Sequence, residues 1–201
     1  MMKLAIGVMG SAGDSVSDHD KAKLTRLGRA IAQRDCILIT GGCPGLPQSA
    51  VQGAKEAGGL IVGISPALSL DEHGQKYGGP IEGFDLLIYT GSGLMGREVE
   101  NIHSSDIIVI AGGRSGTLGE FAIAYDEGRL IGVLTGTGGV ADAVERLIEL
   151  CQKDTGAVVL YDDEPERLVE RLLTYYRAEH YKHPNCFCAS LAEHSTGKAE
   201  A

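Results

Sequence analysis

The chain lacks the features that mark several classes of protein. It has no Trp and only three Phe in 201 residues, so aliphatic side chains must supply most of its core. No apolar run reaches the ~18 residues that a membrane span needs. The formal net charge of −9 argues against a nucleic-acid surface, which depends on clustered Lys and Arg. The sequence therefore predicts a soluble protein that binds neither a membrane nor nucleic acid.

Cysteine is sparse and irregularly spaced. Five cysteines form no disulfide framework, and no signal peptide is visible, so we expect reduced thiols and a cytoplasmic protein. His183, Cys186 and Cys188 could be a fragment of a metal site, but three ligands near a chain end are a weak signal. We expect neither a metal nor a resident cofactor.

Glycine, in contrast, is abundant. The chain has 29 glycines, roughly double the ~7% of average usage. They follow no three-residue period and cluster at the ends of apolar runs, as tight strand-to-helix turns require.

Apolar runs alternate with amphipathic segments along the chain. Strands are predicted at Leu4–Met9, Cys36–Thr40, Leu60–Ser65, Phe84–Tyr89, Asp106–Ala111, Leu130–Leu134 and Ala157–Tyr161. Helices are predicted at Asp18–Arg34 and at about 46–57, 94–104, 117–127, 139–152 and 164–178. This alternation predicts an α/β fold, a doubly wound parallel sheet of about seven strands with a Rossmann-like arrangement.

Two segments interrupt the alternation. Residues 66–83 hold Pro, Gly, His and Tyr without periodicity and are predicted to be a loop or lid. From about residue 179 the sequence is polar and irregular. We therefore expect one nucleotide-binding domain over residues 1–178 and an irregular tail over 179–201.

Four predicted strands end in glycine turns. These turns are Gly10-Ser-Ala-Gly13, Gly41-Gly42-Cys-Pro-Gly45, Gly91-Ser-Gly93 and Gly112-Gly113-Arg-Ser-Gly116. Ligands of open α/β sheets sit at the carboxyl ends of the strands, where the strand order reverses. Four such turns on one edge favour a ligand-binding rim over ordinary loop chemistry.

Residues 106–120 carry the strongest functional signal. An apolar run ends in glycines, and Thr117 then stands three positions before Glu120 at the start of a helix. Backbone amides in such a turn, together with the positive end of the helix dipole, can bind a phosphate. The spacing of Thr117 and Glu120 is also that of a capping box, in which the two side chains only satisfy helix donors. Both interpretations are open.

A nicotinamide-binding domain fits less well. Its fingerprint needs Gly-x-Gly-x-x-Gly after the first strand and an acidic residue at the end of the second. The first turn reads Gly7-Val-Met-Gly10-Ser-Ala-Gly13, and the second strand ends in Thr40-Gly41-Gly42. Neither requirement is met.

The two glycine turns that flank the helices at 94–104 and 117–127 resemble those of the Lonely Guy (LOG) family, also called lysine decarboxylase-like. That family's signature is Met-x-x-Arg-Lys, then Pro-Gly-Gly-x-Gly-Thr-x-x-Glu; the chain aligns without gaps from Arg97 to Gly116, Thr117 and Glu120. Gly10-Ser11, the turn at 41–46 and residues 58–66 extend the resemblance, which covers roughly 4–135.

Several positions depart from that signature. Gly112 replaces Pro, Arg114 replaces the second Gly, and Leu94 and Pro47 replace Met residues. Glu98 replaces the Lys, which reverses a charge beside Arg97. These departures place the chain nearer a sister branch of LOG-like Rossmann proteins that includes molybdenum-cofactor carriers, which bind a phosphorylated pterin without turning it over.

The resemblance implies a homodimer and two alternative functions. One is a phosphoribohydrolase that splits a nucleoside 5′-monophosphate into free base and ribose 5-phosphate, with Arg97 and Glu120 as catalytic residues. The other is a non-catalytic carrier or sensor of a phosphorylated ligand such as the molybdenum cofactor. In both, the ligand-binding residues are expected among Gly10, Ser11, Gly41, Gly42, Gly112, Gly113, Arg114, Ser115, Gly116 and Thr117.

Simpler roles remain open for several of these residues. Arg97 could be a solvated helix cation, Ser11 a turn cap, and Arg114 an exposed turn residue or a replacement for the missing Lys. Glu120, near a helix N-terminus, is expected to stay ionised and to act as a base or charge stabiliser. His73, His103 and Tyr77 could line the pocket, although their spacing does not say so.

Overall fold

Seven parallel strands form the centre of the molecule. The computed structural model describes residues 3–13 and 16–180. The strands are β1 (Ala5–Gly10), β2 (Ile37–Thr40), β3 (Ile61–Ser65), β4 (Leu86–Tyr89), β5 (Ile107–Ala111), β6 (Leu130–Leu134) and β7 (Val158–Asp162). Each lies within two residues of its predicted position, so the prediction of seven strands is confirmed.

Helices connect the strands. They are α1 (Asp18–Gln33), α2 (Leu46–Glu56), α3 (Leu70–Gln75), α4 (Gly93–His103), α5 (Ser115–Asp126), α6 (Val144–Cys151) and α7 (Pro165–Tyr175). A 3₁₀ turn, Ala141–Ala143, precedes α6, and one π-helical turn, Tyr176–His180, follows α7. The predicted tail from residue 179 overlaps this turn by two residues, and residues 181–201, with His183, Cys186 and Cys188, lie outside the described part of the chain.

The order of the strands reverses at β1. The sheet runs β4-β3-β2-β1-β5-β6-β7, and every neighbouring pair is parallel. Strands β2, β3 and β4 thus follow β1 on one side of the sheet. The connection through α4 then leads to β5, which pairs with the other side of β1. In this topology a crevice forms at the carboxyl ends of β1 and β5.

Each face of the sheet carries its own apolar core. One core joins the sheet to α1, α2 and α7, with Leu27 and Leu168 among its fully buried side chains. The other joins it to α4, α5 and α6, with Ile102 and Phe121 at its centre. Because β1 and β5 are covered on both faces, they read as continuous apolar runs in the sequence. The doubly wound, single-domain α/β fold is therefore confirmed.

The segment at 66–83 is more ordered than the sequence suggests. It contains α3, which the absence of apolar periodicity did not predict. His73 of α3 is fully buried, and its ring bonds the Ser65 hydroxyl at 2.8 Å and the Pro80 carbonyl at 3.1 Å. A polar anchor, rather than an apolar face, holds this short helix on the end of β3.

A cluster of charges joins the end of β7 to α7. The carboxylate of Asp162 is buried and accepts hydrogen bonds from Arg167 Nε at 2.7 Å, Arg171 Nη1 at 3.1 Å and the Glu164 amide at 2.9 Å. The bond from Arg167 contributes most to a pKa of Asp162 that is lowered to about 2. Arg26 of α1 extends the cluster by pairing with Glu164 at 2.6 Å.

None of the helices in the described residues combines the length and the apolar character that crossing a membrane requires.

Candidate functional site

A cavity of about 330 Å³ opens at the carboxyl edge of the sheet, where β1 and β5 lie side by side. Its size falls in the range of small-molecule sites. Residues from the ends of β1 and β2, from the starts of α2 and α5 and from the middle of α4 line it: Val8, Met9, Gly10, Ala12, Gly41, Cys43, Pro47, Arg97, Glu98, Arg114, Ser115, Gly116, Thr117 and Glu120. Four segments that are distant in sequence, 8–12, 41–47, 97–98 and 114–120, thus meet at one point.

Most residues predicted from the sequence lie at this cavity. Those that line it are Gly10, Gly41, Arg97, Arg114, Ser115, Gly116, Thr117 and Glu120. Those that do not are Ser11, Gly42, Gly112 and Gly113. Of this second group, Ser11, Gly112 and Gly113 take part in hydrogen bonds that hold the turn after β5.

The amides of Gly112 and Gly113 are occupied within the protein. Gly112 N–H donates to the hydroxyl of Thr137 at 2.8 Å, and Gly113 N–H donates to the hydroxyl of Ser11 at 2.7 Å. Ser11 follows β1 and Thr137 follows β6, so side chains from both neighbouring strands hold this turn. The turn after β5 is therefore a fixed support, and the donors that face the cavity come later in the chain.

Those donors are the first amides of α5. The helix begins at Ser115 with Arg114 as its N-cap, and no side-chain hydrogen bond caps it. The amides of the first turn of a helix have no intrahelical acceptor and, with the helix dipole, attract anions. Thr117 is the third helical residue, so the proposed capping box of Thr117 and Glu120 is wrong. The sequence pattern did not show that the helix starts two residues earlier.

Arg97 of α4 crosses the cavity toward β2. Its residue is only 7% exposed, so the interpretation of Arg97 as a solvated helix cation is wrong. Its Nη1 lies 3.5 Å from Glu120 Oε1, which is long for a hydrogen bond to oxygen, and its Nη2 donates a hydrogen bond to the sulfur of Cys43 at 3.5 Å. A Cβ at residue 41 would collide with the guanidinium, which explains why glycine stands there.

Glu120 is a buried carboxyl in the second turn of α5. Its residue is 6% exposed, and its Oε1 accepts a hydrogen bond from Asn101 Nδ2 at 3.2 Å. Burial raises the pKa of Glu120 to about 7, against the smaller opposing effect of Arg97. The helix N-terminus therefore does not hold the pKa of Glu120 low, because burial has the larger effect.

Glu98, the residue that replaces the motif Lys, also faces the cavity. It is 6% exposed and makes no hydrogen bond to any residue that the structure describes. Its carboxyl lies beside the start of α5, where a Cβ at residue 116 would be 3.2 Å from Oε1 and one at residue 119 would be 2.7 Å from Oε2. Burial raises the pKa of this carboxyl as well.

Arg114 closes one side of the mouth. Its Nη2 donates a 2.6 Å hydrogen bond to the carbonyl of Ala12, so the side chain joins the turn after β5 to the turn after β1. The residue is otherwise exposed, and its guanidinium places a positive charge at the entrance. Both proposed roles for Arg114, a turn residue and a cation at the site, are compatible with this position.

Sequence reasoning missed Asn101 and Cys43. Asn101 lies one helical turn after Arg97 on the buried face of α4, a spacing that could have identified it. Cys43 follows the glycines of the second turn, and burial raises the pKa of its thiol. A raised thiol pKa favours the protonated, unreactive form.

His73, His103 and Tyr77, which the sequence offered as possible pocket residues, lie away from the cavity. His73 anchors α3, His103 pairs with Glu127 at 2.6 Å on an exposed surface, and Tyr77 lies under Lys76. None of them lines the cavity. Across the described ranges 3–13 and 16–180, no group of three or more His, Cys, Asp or Glu residues could hold a metal ion.

A comparison with protein families matches residues 3–169 to the model of the SLOG cluster4 family. The chain belongs to the SLOG cluster4 family. The match spans every strand and the first part of α7, including all residues that line the cavity. The prediction of a sister branch within the LOG-like Rossmann superfamily is thereby confirmed.

Individual relatives agree with this placement. An uncharacterised protein of Archaeoglobus fulgidus is 36% identical over 135 residues, which are 67% of this chain and 82% of that protein. The molybdenum cofactor binding protein of Rippkaea orientalis shares 29% identity with a TM-score of 0.70, covering 87% of this chain and 98% of that one. The Moco carrier protein of Chlamydomonas reinhardtii shares 30% identity with a TM-score of 0.70, covering 86% and 99%.

Proposed function

We propose that this member of the SLOG cluster4 family binds a phosphorylated small molecule in the cavity at β1 and β5 and holds it as a carrier. The observation that carries the proposal is the pairing of two anion-binding features at one cavity. The uncapped first turn of α5 faces it, and so does buried Arg97, whose Nε has no hydrogen-bond partner among the described residues.

Unsatisfied polar atoms support a missing ligand. In the described part of the chain, the buried side-chain atoms that lack a partner are Gln48 Oε1, Arg97 Nε and Asn101 Oδ1. Two of them belong to the group around Glu120. Of these residues, Arg97 lines the cavity. Since buried polar atoms in native proteins are nearly always bonded, its unpaired Nε points to a ligand or to bound water.

The relatives and the charge pattern favour a carrier. Two similar structures are of proteins described as a molybdenum cofactor binding protein and a Moco carrier protein. Glu98 also places a carboxyl where a hydrolase of the LOG pattern has a second cation. A phosphorylated pterin or a nucleotide-type ligand fits this proposal, with its phosphate on the amides of Ser115, Gly116 and Thr117.

Thermal shift and calorimetry test the proposal. We expect the purified chain to be stabilised by at least one ligand among AMP, GMP, ribose 5-phosphate and 6-hydroxymethylpterin phosphate, and not by the matching unphosphorylated compound. Arg97→Met should abolish the shift while Arg146→Met, which removes an exposed arginine, should keep it. Equal shifts with and without the phosphate group would contradict the proposal.

A second candidate function is hydrolysis of a nucleoside 5′-monophosphate, and one observation favours it. The pKa of Glu120 near 7 suits a group that takes a proton from water at neutral pH. In that reaction the water oxygen bonds to C1′ of the ribose, the bond from C1′ to the base nitrogen breaks, and the base leaves with a proton. Arg97 would steady the phosphate.

Product analysis separates the two functions. Incubation with AMP, followed by assay of free adenine and ribose 5-phosphate, should give no product if the chain is a carrier. If product forms, Glu120→Gln should remove nearly all of it and leave AMP binding largely intact. Turnover that survives Glu120→Gln would exclude proton transfer to this carboxylate as the hydrolytic mechanism.

We also propose a homodimer that forms through β4 and α4. Large apolar side chains on these consecutive elements are exposed, among them Leu86, Ile88, Leu94 and Met95, with Met95 at 76%. A single exposed apolar residue is ordinary, but a row of them on an edge strand and the next helix favours an interface. In multi-angle light scattering the chain should have twice the monomer mass, and Met95→Glu should give the monomer. Leu150→Glu, at an exposed site on α6, should leave the mass unchanged.

A further inference from the structure

The carboxyl of Glu98 lies at the cavity and accepts no hydrogen bond from the described residues. Glu120 accepts a hydrogen bond from Asn101, whereas Glu98 accepts none from the described residues although it is only 6% exposed. Arg97 is the preceding residue in the chain and acts on Glu98 only through its charge. The Glu98 oxygens are not among the fully buried atoms that lack a partner; they lie at the cavity, where water or a ligand can supply donors.

The neighbouring helix has space for this carboxyl. Gly116 and Gly119 lie one helical turn apart on α5, and a side chain at either would press against the Glu98 oxygens. Glycine in a helix lowers helix stability relative to alanine, so two glycines on this face are otherwise unfavourable. We interpret Gly116 and Gly119 as forming a recess on α5. The recess accommodates the Glu98 carboxyl beside the first turn of the helix, where it faces the cavity.

An ionised carboxylate can only accept hydrogen bonds. A phosphate at the first turn of α5 offers acceptors and negative charge, so it cannot satisfy Glu98. The part of the ligand next to the phosphate can do so if it carries O–H or N–H donors.

We propose that Glu98 is the specificity-determining residue of the cavity, and that it selects phosphate monoesters whose organic part presents a pair of hydrogen-bond donors to its carboxylate. The inference rests on the proposed binding function and names the ligand class that this binding requires. Vicinal hydroxyls of a sugar phosphate and the amino and ring N–H groups of a phosphorylated pterin both supply such donors. A carboxylate accepts from either pair through its two oxygens.

Matched ligand pairs test the inference by isothermal titration calorimetry. AMP is compared with 2′,3′-dideoxy-AMP, which lacks both ribose hydroxyls. The phosphate of 6-hydroxymethylpterin is compared with that of 6-hydroxymethyllumazine, which lacks the amino group. We expect one parent compound to bind roughly ten- to hundredfold more tightly than its donor-deleted partner, the range typical of hydrogen bonds to a charged group. The pair that shows the ratio identifies the source of the donors.

Variants of Glu98 show whether this residue causes the discrimination. Glu98→Met, of similar length but without acceptors, should reduce the ratio to below about threefold, and Glu98→Gln, which keeps one acceptor, should give an intermediate ratio. Glu100→Gln is the matched control, since Glu100 lies on the same helix and its carboxylate bonds Ser92 at 2.7 Å instead of lining the cavity. Circular dichroism on each variant confirms that it is folded.

The outcomes separate this inference from the proposed function. If no phosphate monoester binds, both are overturned. If monoesters bind but the ratios are near one, or persist in Glu98→Met, the role of Glu98 is overturned while phosphate binding stands. If the ratio is present and depends on Glu98 but not on Glu100, the inference holds.

Discussion

Asp162 and Glu120 are buried carboxyls at the same edge of the sheet, but their contacts with arginine differ. Asp162 accepts hydrogen bonds at 2.7 and 3.1 Å from two arginines and one from a backbone amide, and its pKa falls to about 2. Glu120 lies 3.5 Å from a single arginine, and its pKa rises to about 7. Similar chemical groups, both shielded from solvent, therefore have opposite shifts of pKa.

The two clusters differ in how many of their hydrogen-bond donors and acceptors have partners within the protein. Around Asp162 the donors match the acceptors, so the cluster is closed and needs no further molecule. Around Glu120, atoms of Arg97 and Asn101 have no partner among the described residues, and Glu98 adds a second carboxyl that none of those residues bonds. A closed ion cluster serves the fold, and an open one beside a cavity serves binding. Four substitutions test this contrast.

The largest effect is expected where the closed cluster is broken. Asp162→Ala leaves Arg167 and Arg171 without their shared acceptor and the Glu164 amide without its bond. We expect a loss of about 3 kcal/mol in the free energy of unfolding, measured with urea. Asp163→Ala is the control, because that exposed carboxylate makes one surface ion pair and should contribute less than about 1 kcal/mol. Equal losses would refute the distinction between the two clusters.

Removing the charge of Glu120 from the open cluster should raise the stability of the chain, in contrast to the loss expected for Asp162→Ala. Between pH 4.5 and about 7 the folded chain holds a proton on Glu120 that the unfolded chain releases, so this group makes stability fall as pH rises. Glu120→Gln should therefore stabilise the ligand-free chain by about 2 kcal/mol at pH 8 and by little at pH 4. Urea titrations at both pH values measure this, and a gain that does not depend on pH would contradict the raised pKa.

Replacing the guanidinium of Arg97 should weaken ligand binding more than it lowers the free energy of unfolding. Arg97→Lys keeps a charge but loses the planar pair of donors, so we expect at least a tenfold loss of affinity for a phosphate monoester and a change in unfolding free energy below about 1 kcal/mol. Calorimetry and urea titration measure the two quantities. A large loss of stability with unchanged affinity would make Arg97 a structural residue like Arg167.

The smallest effect concerns the recess for Glu98. Gly119→Ala should by itself change stability little, since the gain in helix propensity is offset by contact with the Glu98 carboxyl at 2.7 Å. In a Glu98→Ala background the same change should stabilise the chain by about 1 kcal/mol. Additive effects in the double-mutant cycle would show that the carboxyl does not occupy this recess.

The sheet could be predicted because its sequence signals are local. A buried parallel strand must be apolar along its length, and tight turns after it require glycine, so β5 and β6 were found almost to the residue. The same signals placed Gly10 and Gly41 at one edge, and the resemblance to the LOG family added Arg97 and the catalytic role of Glu120. The helix α3 was missed because a single buried histidine, and no periodic apolar face, holds it in place.

The errors at the site have a different origin. Where α5 begins, and hence the failure of the capping box, depends on the turn that Ser11 and Thr137 hold from either side. The pKa of Glu120 depends on burial against α4. That burial raises the pKa by more than the positive end of the helix dipole, one turn away, lowers it. Both properties arise from packing between segments that are far apart in the chain, so no pattern within one segment can reveal them.

The reversal of strand order at β1 makes the cavity a seam between two halves of the polypeptide. Arg97 and Glu98 belong to the half that ends with α4, and Glu120 with the first turn of α5 belongs to the half that begins with β5. A chain divided at Ser104 would carry the complete site on neither fragment. Ligand affinity would then return only when the fragments reassemble, and the phosphate compound itself would hold them together.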